Sequence, residues 1–315
     1  MDEKQLRWES TPCDWCGAQQ TELVLAGSDR FLSMPGLFRL VRCCQCGLIR
    51  QNPRLTWESL KDYYPPGFIS YGTIVEREPN LFLRWSRRYG MWKRLRLINR
   101  LQRGGRLLDV GCGTGIFLGE VIRDPHWQAM GIEPTEYAAN YARQALGVEI
   151  LQSTLDQVSL PEGSFDVVTM WDVLEHLPRP VADLRKAYRL VRKGGWLILQ
   201  IPNLESVGAR VFGSHWVGWD LPRHLHLFPR TILETMLASI GFRPRVWRCL
   251  SASYYTLGES LTFWSQTWSP RHPRLAKAMV QAYRTWLARV AMLAPLWVLD
   301  RMNRSTLLTV FAQKV

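Results

Sequence analysis

No uncharged apolar run in this chain exceeds ten residues; the longest, Val290 to Leu299, is interrupted by Pro295. That is about half of what a bilayer-spanning helix needs, so a membrane-embedded fold is not expected. The first residues, Met1-Asp2-Glu3-Lys4-Gln5, are polar and carry two acids, and no secretory signal is legible in them. A reducing compartment is therefore expected, which argues against disulfides for the seven cysteines. Disorder is also excluded: 47% of residues are hydrophobic and 21% charged over 315 positions, enough for a full α/β core and a small second module.

Acids are scarce, 27 against 40 Lys and Arg. The deficit is local. Arg77 to Arg106 holds ten basic residues against Glu78, and Pro270 to Arg304 holds seven against Asp300. These two segments account for more than the whole net charge of +13, so the rest of the chain is slightly acidic. Either a solvated basic face or an anionic partner (phosphorylated substrate, anionic lipid, nucleic acid) fits that distribution. No RRM or KH signature accompanies it, which speaks against nucleic acid.

What is present is organised around Leu107-Leu108-Asp109-Val110-Gly111-Cys112-Gly113-Thr114-Gly115. Apolar residues bracket one carboxylate, then three glycines alternate with small residues before an apolar helical pattern begins at Ile116-Phe117-Leu118. The pattern predicts a strand entering a tight turn and a helix start, where bare backbone can meet a ligand. Glu133 stands 22 positions after Gly111, at the end of a second predicted strand, Gln128 to Ile132. An acid there can accept two hydrogen bonds from a ribose diol. A dinucleotide fingerprint would need glycine at 116, where this chain has Ile116.

The Asp-x-Gly-x-Gly-x-Gly spacing resembles the cofactor loop of class I S-adenosylmethionine (SAM)-dependent methyltransferases. That resemblance implies that Asp109 and the backbone of Gly111, Cys112, Gly113 and Gly115 hold the methionine moiety, and that Glu133 holds the ribose. Ser153, Thr154 and Leu155 are candidates for the adenine side. Trp171 and Asp172 are counted with the cofactor contacts at the end of the fourth strand. The resemblance runs on through Phe165-Asp166-Val167-Val168, Leu174-Glu175-His176-Leu177 and the Gly194-Gly195 turn.

Alternating strand and helix patterns predict strands at 106–110, 128–132, 148–151, 165–170, 196–201, 245–250 and 306–313, with helices near 115–123 and 231–240. The fold class expected is α/β: a doubly wound, seven-stranded Rossmann-like methyltransferase sheet, preceded by a small zinc module and carrying a helical insertion before the last strand. Domain boundaries are placed at 1–75 (zinc-ribbon-like module), 76–105 (basic amphipathic helical linker), 106–250 (SAM-binding core), 251–304 (insertion) and 305–315 (last strand).

In the first module, Cys13-x-x-Cys16-Gly17 and Cys43-x-x-Cys46-Gly47 can close a tetrahedral four-sulfur site for structural zinc, with Cys44 spare. With Asn52-Pro53, Tyr63, Tyr64 and Pro65-Pro66 behind it, the module resembles the ribbon found ahead of many bacterial SAM methyltransferases. Residues 80–101 read as an amphipathic helix in which Trp85, Tyr89 and Trp92 alternate with arginines. In the insertion, Leu275, Met279, Ala282, Tyr283, Trp286, Leu287 and Val290 trace one helical face. It reads as a lid, a homodimer surface or an in-plane anchor on anionic membrane, the last placing a cytoplasmic protein at the inner membrane face.

Chemistry centres on two clusters. Trp171-Asp172-Val173-Leu174-Glu175-His176 resembles the acid-x-x-Glu-His pattern of ubiquinone-biosynthesis O-methyltransferases, and also the small-RNA 3′-end 2′-O-methyltransferases that bind a divalent metal with such residues. Asp172, Glu175 and His176 are therefore held open as a divalent-metal site. Pro222-Arg223-His224-Leu225-His226-Leu227-Phe228 supplies His224 and His226, either of which could be a base or a later metal ligand; Trp216, Trp219 and Phe228 suggest an aromatic wall. The expected activity is O-methylation of a small-molecule, sugar or lipid-linked acceptor, with His224, His226 or His176 near the acceptor oxygen. The competing readings are an RNA methyltransferase and a non-catalytic protein that kept the SAM fold.

Overall fold

The computed structural model describes residues 6–65, 81–250 and 253–315, the side chains of residues 82, 83 and 253 excepted. Pro66, Asn80 and the basic run's Arg77 and Glu78 lie outside the described residues. The chain divides into two compact units: Tyr64–Gln200, Glu234–Val246 and Val310–Val315 form one, and Met1–Tyr63, Ile201–Leu233 and Trp247–Thr309 the other.

A seven-stranded sheet organises the first. Its strands are β1 (Gly105–Val110), β2 (Trp127–Ile132), β3 (Glu149–Leu151), β4 (Phe165–Trp171), β5 (Val191–Pro202), β6 (Phe242–Arg248) and β7 (Leu307–Lys314), in the order β6-β7-β5-β4-β1-β2-β3. β1 pairs parallel with β2 and β4, β2 with β3, and β4 with β5. Leu107, Leu108, Val167, Val168, Leu197, Ile198 and Leu199 are all buried, as strands covered by helices on both faces must be. Register aligns the strand ends. Val110 lies opposite Ile132 and Met170, and Trp171 opposite Gln200, so the residues just past these strands emerge along one edge.

Several boundaries differ from the sequence expectation, each for a local reason. Regular helix after the glycine turn is confined to Leu118–Val121 rather than 115–123. The Asp124 carboxylate accepts the His126 N–H at 3.2 Å and Pro125 has no N–H to continue the helix. β5 begins at Val191 instead of Trp196, because Lys193-Gly194-Gly195 is absorbed as a bulge between Val191 and Trp196. β6 begins at Phe242, directly after Gly241. That glycine ends the Arg230–Ile240 helix at φ 111°, and a Cβ there would meet the Tyr188 ring at 2.7 Å.

In the other unit an antiparallel four-stranded sheet runs Thr21–Gly27, Phe38–Cys43, Ile49–Gln51 and, from far along the chain, His226–Leu227. Trp216, Val217 and Phe263 form a buried cluster against Phe31, Leu204, Ala209, Phe212 and Trp219. Three helices make up the insertion: Ser253–Gln266, Pro273–Arg284 and Trp286–Arg301. The single face expected from Leu275 to Val290 is broken at Thr285. There the backbone turns extended (φ −67°, ψ 155°), and the Thr285 hydroxyl accepts the Ala288 N–H to start a new helix. None of these helices is long and apolar enough to cross a membrane.

Candidate functional site

The edge of β1, β2 and β4 gathers the carboxylates that the sequence singles out. Asp109 is buried and its Oδ1 accepts the Thr169 hydroxyl at 2.6 Å from the neighbouring strand. Burial lifts its carboxyl from 3.8 to about 7, against the opposing pull of Thr169 and the Arg94 guanidinium. Gly111, Gly113 and Gly115 have φ of 67°, 55° and 79°, the left-handed conformation that favours glycine. Gly111 also has a neighbour that requires it: an added Cβ would meet Val173 Cγ2 at 2.6 Å.

Glu133 is buried behind the same loop. One carboxylate oxygen accepts the Gly113 N–H at 2.9 Å and the other the Thr135 N–H at 2.8 Å. Burial raises its pKa. The loop and the acid are thus one hydrogen-bonded assembly. Cys112 contributes backbone at most, since its thiol is buried against Gly131, where a Cβ would come within 2.6 Å of the sulfur. After β3, Thr154 is exposed and bonds Asp156 at 2.6 Å, while Leu155 is buried.

Past β4, Asp172 adopts φ 57°, and the next regular turn is confined to Leu174–His176. Asp172 therefore does not share a helical turn with Glu175 and His176. Its carboxylate instead accepts both contacts of Gln200 Nε2, at 3.2 and 3.0 Å. Gln200 Oε1 in turn accepts from Arg94 at 3.2 Å, and the Arg94 guanidinium lies 4.3 Å over the Trp171 ring. Sequence reasoning missed three members of this network. Thr169 and Gln200 left a trace, each a polar residue inside an otherwise apolar strand, whereas Arg94 is indistinguishable from the other arginines of helix Leu81–Leu101. His176 Nδ1 lies 3.2 Å from the Tyr64 hydroxyl, and Glu175 is buried.

In the other unit, the segment bearing the remaining histidines is clamped to the four-stranded sheet. Gln51 Nε2 donates to the carbonyls of Pro222 and His224 at 2.8 and 2.7 Å. Arg223 is fully buried, held by Asp29 at 2.7 Å and Asp220 at 2.7 Å. His224 Nδ1 lies 2.8 Å from the Gly218 carbonyl; a carbonyl only accepts, so Nδ1 carries a proton, and Nε2 faces the Asp220 carboxylate at 3.9 Å. His226 is buried and stacks on Phe228, 6.1 Å between centroids. Of the three aromatics expected to wall a pocket, Trp216 and Trp219 line one with Phe31, Leu221 and Phe263, whereas Phe228 is buried in packing.

Cys13, Cys16, Cys43 and Cys46 place their sulfurs within 4.8 Å of one another, with Cys13–Cys46 and Cys16–Cys43 both at 3.5 Å. All are free thiols, and Cys44 is exposed outside the cluster. Gly17 and Gly47, at φ 76° and 81°, donate to the carbonyls of Cys13 and Cys43 and fold each pair inward. Sulfurs about 3.8 Å apart are what a tetrahedral Zn–S length of about 2.3 Å requires, so the cluster can hold such an ion.

Among known families, the one described as "Methyltransferase domain" matches residues 82–245, more than half of the chain. This chain belongs to the class I SAM-dependent methyltransferases. The curated relatives include a ubiquinone biosynthesis O-methyltransferase from Thiobacillus denitrificans, 34% identical across 44% of this chain and 62% of that protein. Another, from Burkholderia ambifaria, is 30% identical across 52% of this chain and 75% of that protein. The methyltransferase thus spans less than two thirds of the first relative's length. Among solved structures, a SAM-dependent methyltransferase from Archaeoglobus fulgidus is similar at 16% identity and a TM-score of 0.48, covering 75% of this chain and all of that one. A geranyl diphosphate C-methyltransferase from Streptomyces coelicolor, solved with S-adenosylhomocysteine, is similar at 15% identity and a TM-score of 0.46, covering 71% and 75%.

Proposed function

We propose that this methyltransferase methylates an oxygen of a small-molecule acceptor, with a hydroxyl on an aromatic ring as the favoured class. The class is suggested by the relatives named for O-methylation in ubiquinone biosynthesis. The observation that carries the cofactor assignment is the assembly of glycine loop and buried Glu133 at one sheet edge.

The residues present fit SAM. The left-handed turn through Gly111, Gly113 and Gly115 carries the chain past the sheet edge, where the buried Asp109 offers a carboxylate to an amino-acid tail and Glu133 offers a diol acceptor. Thr154 and Leu155 are assigned to the adenine side and Trp171 and Asp172 to the edge near the reacting end. When bound, SAM supplies an electrophilic methyl on a sulfonium. The protein's own work is alignment, exclusion of water and removal of the acceptor's proton. His224, whose ring is oriented by the Gly218 carbonyl at 2.8 Å from Nδ1, is assigned as the base. His226 and His176 are the alternatives that substitution separates from it. Zinc at Cys13, Cys16, Cys43 and Cys46 fills all four positions with sulfur and has a structural role only.

Calorimetry with SAM and S-adenosylhomocysteine tests the cofactor site: Asp109→Ala and Glu133→Ala together should abolish binding, and undiminished affinity would refute the assignment. Radiolabel transfer to catechol-type acceptors tests the chemistry. His224→Gln should lower kcat by about 100-fold or more with KM little changed. Unchanged kcat would move the base to His226 or His176.

A further inference from the structure

Helix Trp286–Arg301 has twelve apolar residues besides Pro295 among its sixteen, and not one residue of it is buried. A helix that is apolar on all sides belongs in an interior or against a partner. Successive residues advance by about 100° around the axis, so Trp286, Val290, Leu293 and Trp297 form one stripe and Leu287, Ala294 and Val298 the strip beside it. This side is the open one: Trp286 is 71% exposed, Leu293 65%, Leu287 62% and Trp297 58%. The opposite side, with Ala288, Met292, Leu296 and Leu299, is the half-covered one. Scattered exposed apolar residues are ordinary in a folded protein, but a continuous stripe of tryptophan and aliphatic residues is not.

The exposed charge on the flanking residues is mostly basic. Arg271, Arg274 and Lys277 are exposed on and just before the preceding helix, Arg284 precedes the turn, and Arg301 lies 4.6 Å over the Trp297 ring at the far end. The acids nearby are engaged: Asp300 accepts the Ser305 hydroxyl at 2.5 Å and Glu259 faces Arg284 at 3.9 Å. Two copies of this face meeting about a two-fold axis would bring cationic rims together, which disfavours self-association. An anionic lipid surface has the complementary charge and an apolar layer beneath it.

We infer that helix Trp286–Arg301 is a membrane-docking face that lies in the plane of an anionic bilayer, with its Trp-Val-Leu-Trp stripe in the acyl boundary and the arginines at the headgroups. Tryptophan suits that depth, having an apolar body and a polar N–H. The helix is too short and too interrupted to span, so the association is peripheral and salt-sensitive. This reading does not depend on which acceptor the enzyme methylates.

The test uses the full-length protein and sedimentation with phosphatidylcholine vesicles, with and without phosphatidylglycerol. Wild type should partition onto the anionic vesicles only, and bromine-labelled acyl chains should quench its tryptophan fluorescence. The triple variant Trp286→Ser, Leu293→Ser, Trp297→Ser should lose about tenfold or more in partitioning. Arg274→Glu with Lys277→Glu should lose about fivefold or more per charge changed. Thermal midpoint and S-adenosylhomocysteine affinity, read on the same samples, should not move, because the substituted side chains are exposed. Equal partitioning by wild type and triple variant would overturn the inference. So would a wild type that ignores lipid and runs as a dimer that the triple variant dissolves. Failure of lipid binding with cofactor binding intact strikes this inference alone, whereas loss of cofactor binding in wild type strikes the proposed function.

Discussion

Cofactor affinity should rise with pH because one buried carboxyl must ionise to meet it. Asp109 titrates near 7 in the free protein, well above its ordinary 3.8, because burial disfavours the anion. If it faces the ammonium of the methionine tail, a neighbouring positive charge should bring its pKa down by about two units, to near 5, in the complex. Linkage then predicts that affinity increases roughly tenfold between about pH 5.5 and 7, with about 0.8 proton released near pH 6. The ligand's own amino group titrates above that window, near 7.7 or higher if it behaves as an ordinary α-amino group. Calorimetry of S-adenosylhomocysteine binding in two buffers of different ionisation enthalpy counts the proton directly. Asp109→Asn should bind weakly and without this pH dependence, while Glu133→Gln should bind weakly and retain it. Flat affinity over the window with no proton released would refute the assignment of Asp109. Folding of the cofactor-free protein carries the opposite sign. A carboxyl whose folded pKa lies above its unfolded value favours the folded state below about pH 4, and that contribution is lost as pH rises to about 7.

Groups outside that edge give two further expected outcomes. Arg223→Met strands the buried Asp29 and the half-buried Asp220 without their guanidinium and should cost about 3–5 kcal/mol in denaturant unfolding; a loss under about 1 kcal/mol would show that the pair contributes little. Cys46→Ser should abolish stoichiometric zinc measured by elemental analysis, whereas Cys44→Ser, whose thiol lies outside the cluster, should retain one ion per chain.

Much of the sheet and the glycine turn at its edge was legible because both rest on local pattern. β1, β2 and β4 are short apolar runs ended by glycine or acid, and a parallel sheet buried on both faces writes itself as such runs. Gly111 to Gly115 were readable because left-handed backbone restricts the residue type at those positions. The four cysteines were readable because metal-ligand spacing is a property of a turn. Boundaries were less so. Pairing with β4, not propensity, carried β5 back through Lys193-Gly194-Gly195 to Val191, and the break at Gly241 set the start of β6 at Phe242.

The chain's own order of residues decided that it builds a Rossmann-like methyltransferase sheet, where its glycine turn lies and which thiols cluster, since each depends on neighbours within a few positions. Tertiary structure alone decided that Thr169 faces Asp109, that Arg94 and Gln200 lead to Asp172, and that Gln51 clamps the His224 segment from 173 residues away. It also decided that helix Trp286–Arg301 keeps its apolar side in the open. Such pairings depend on which strands become neighbours and on what covers each helix, and no short window of sequence contains both partners.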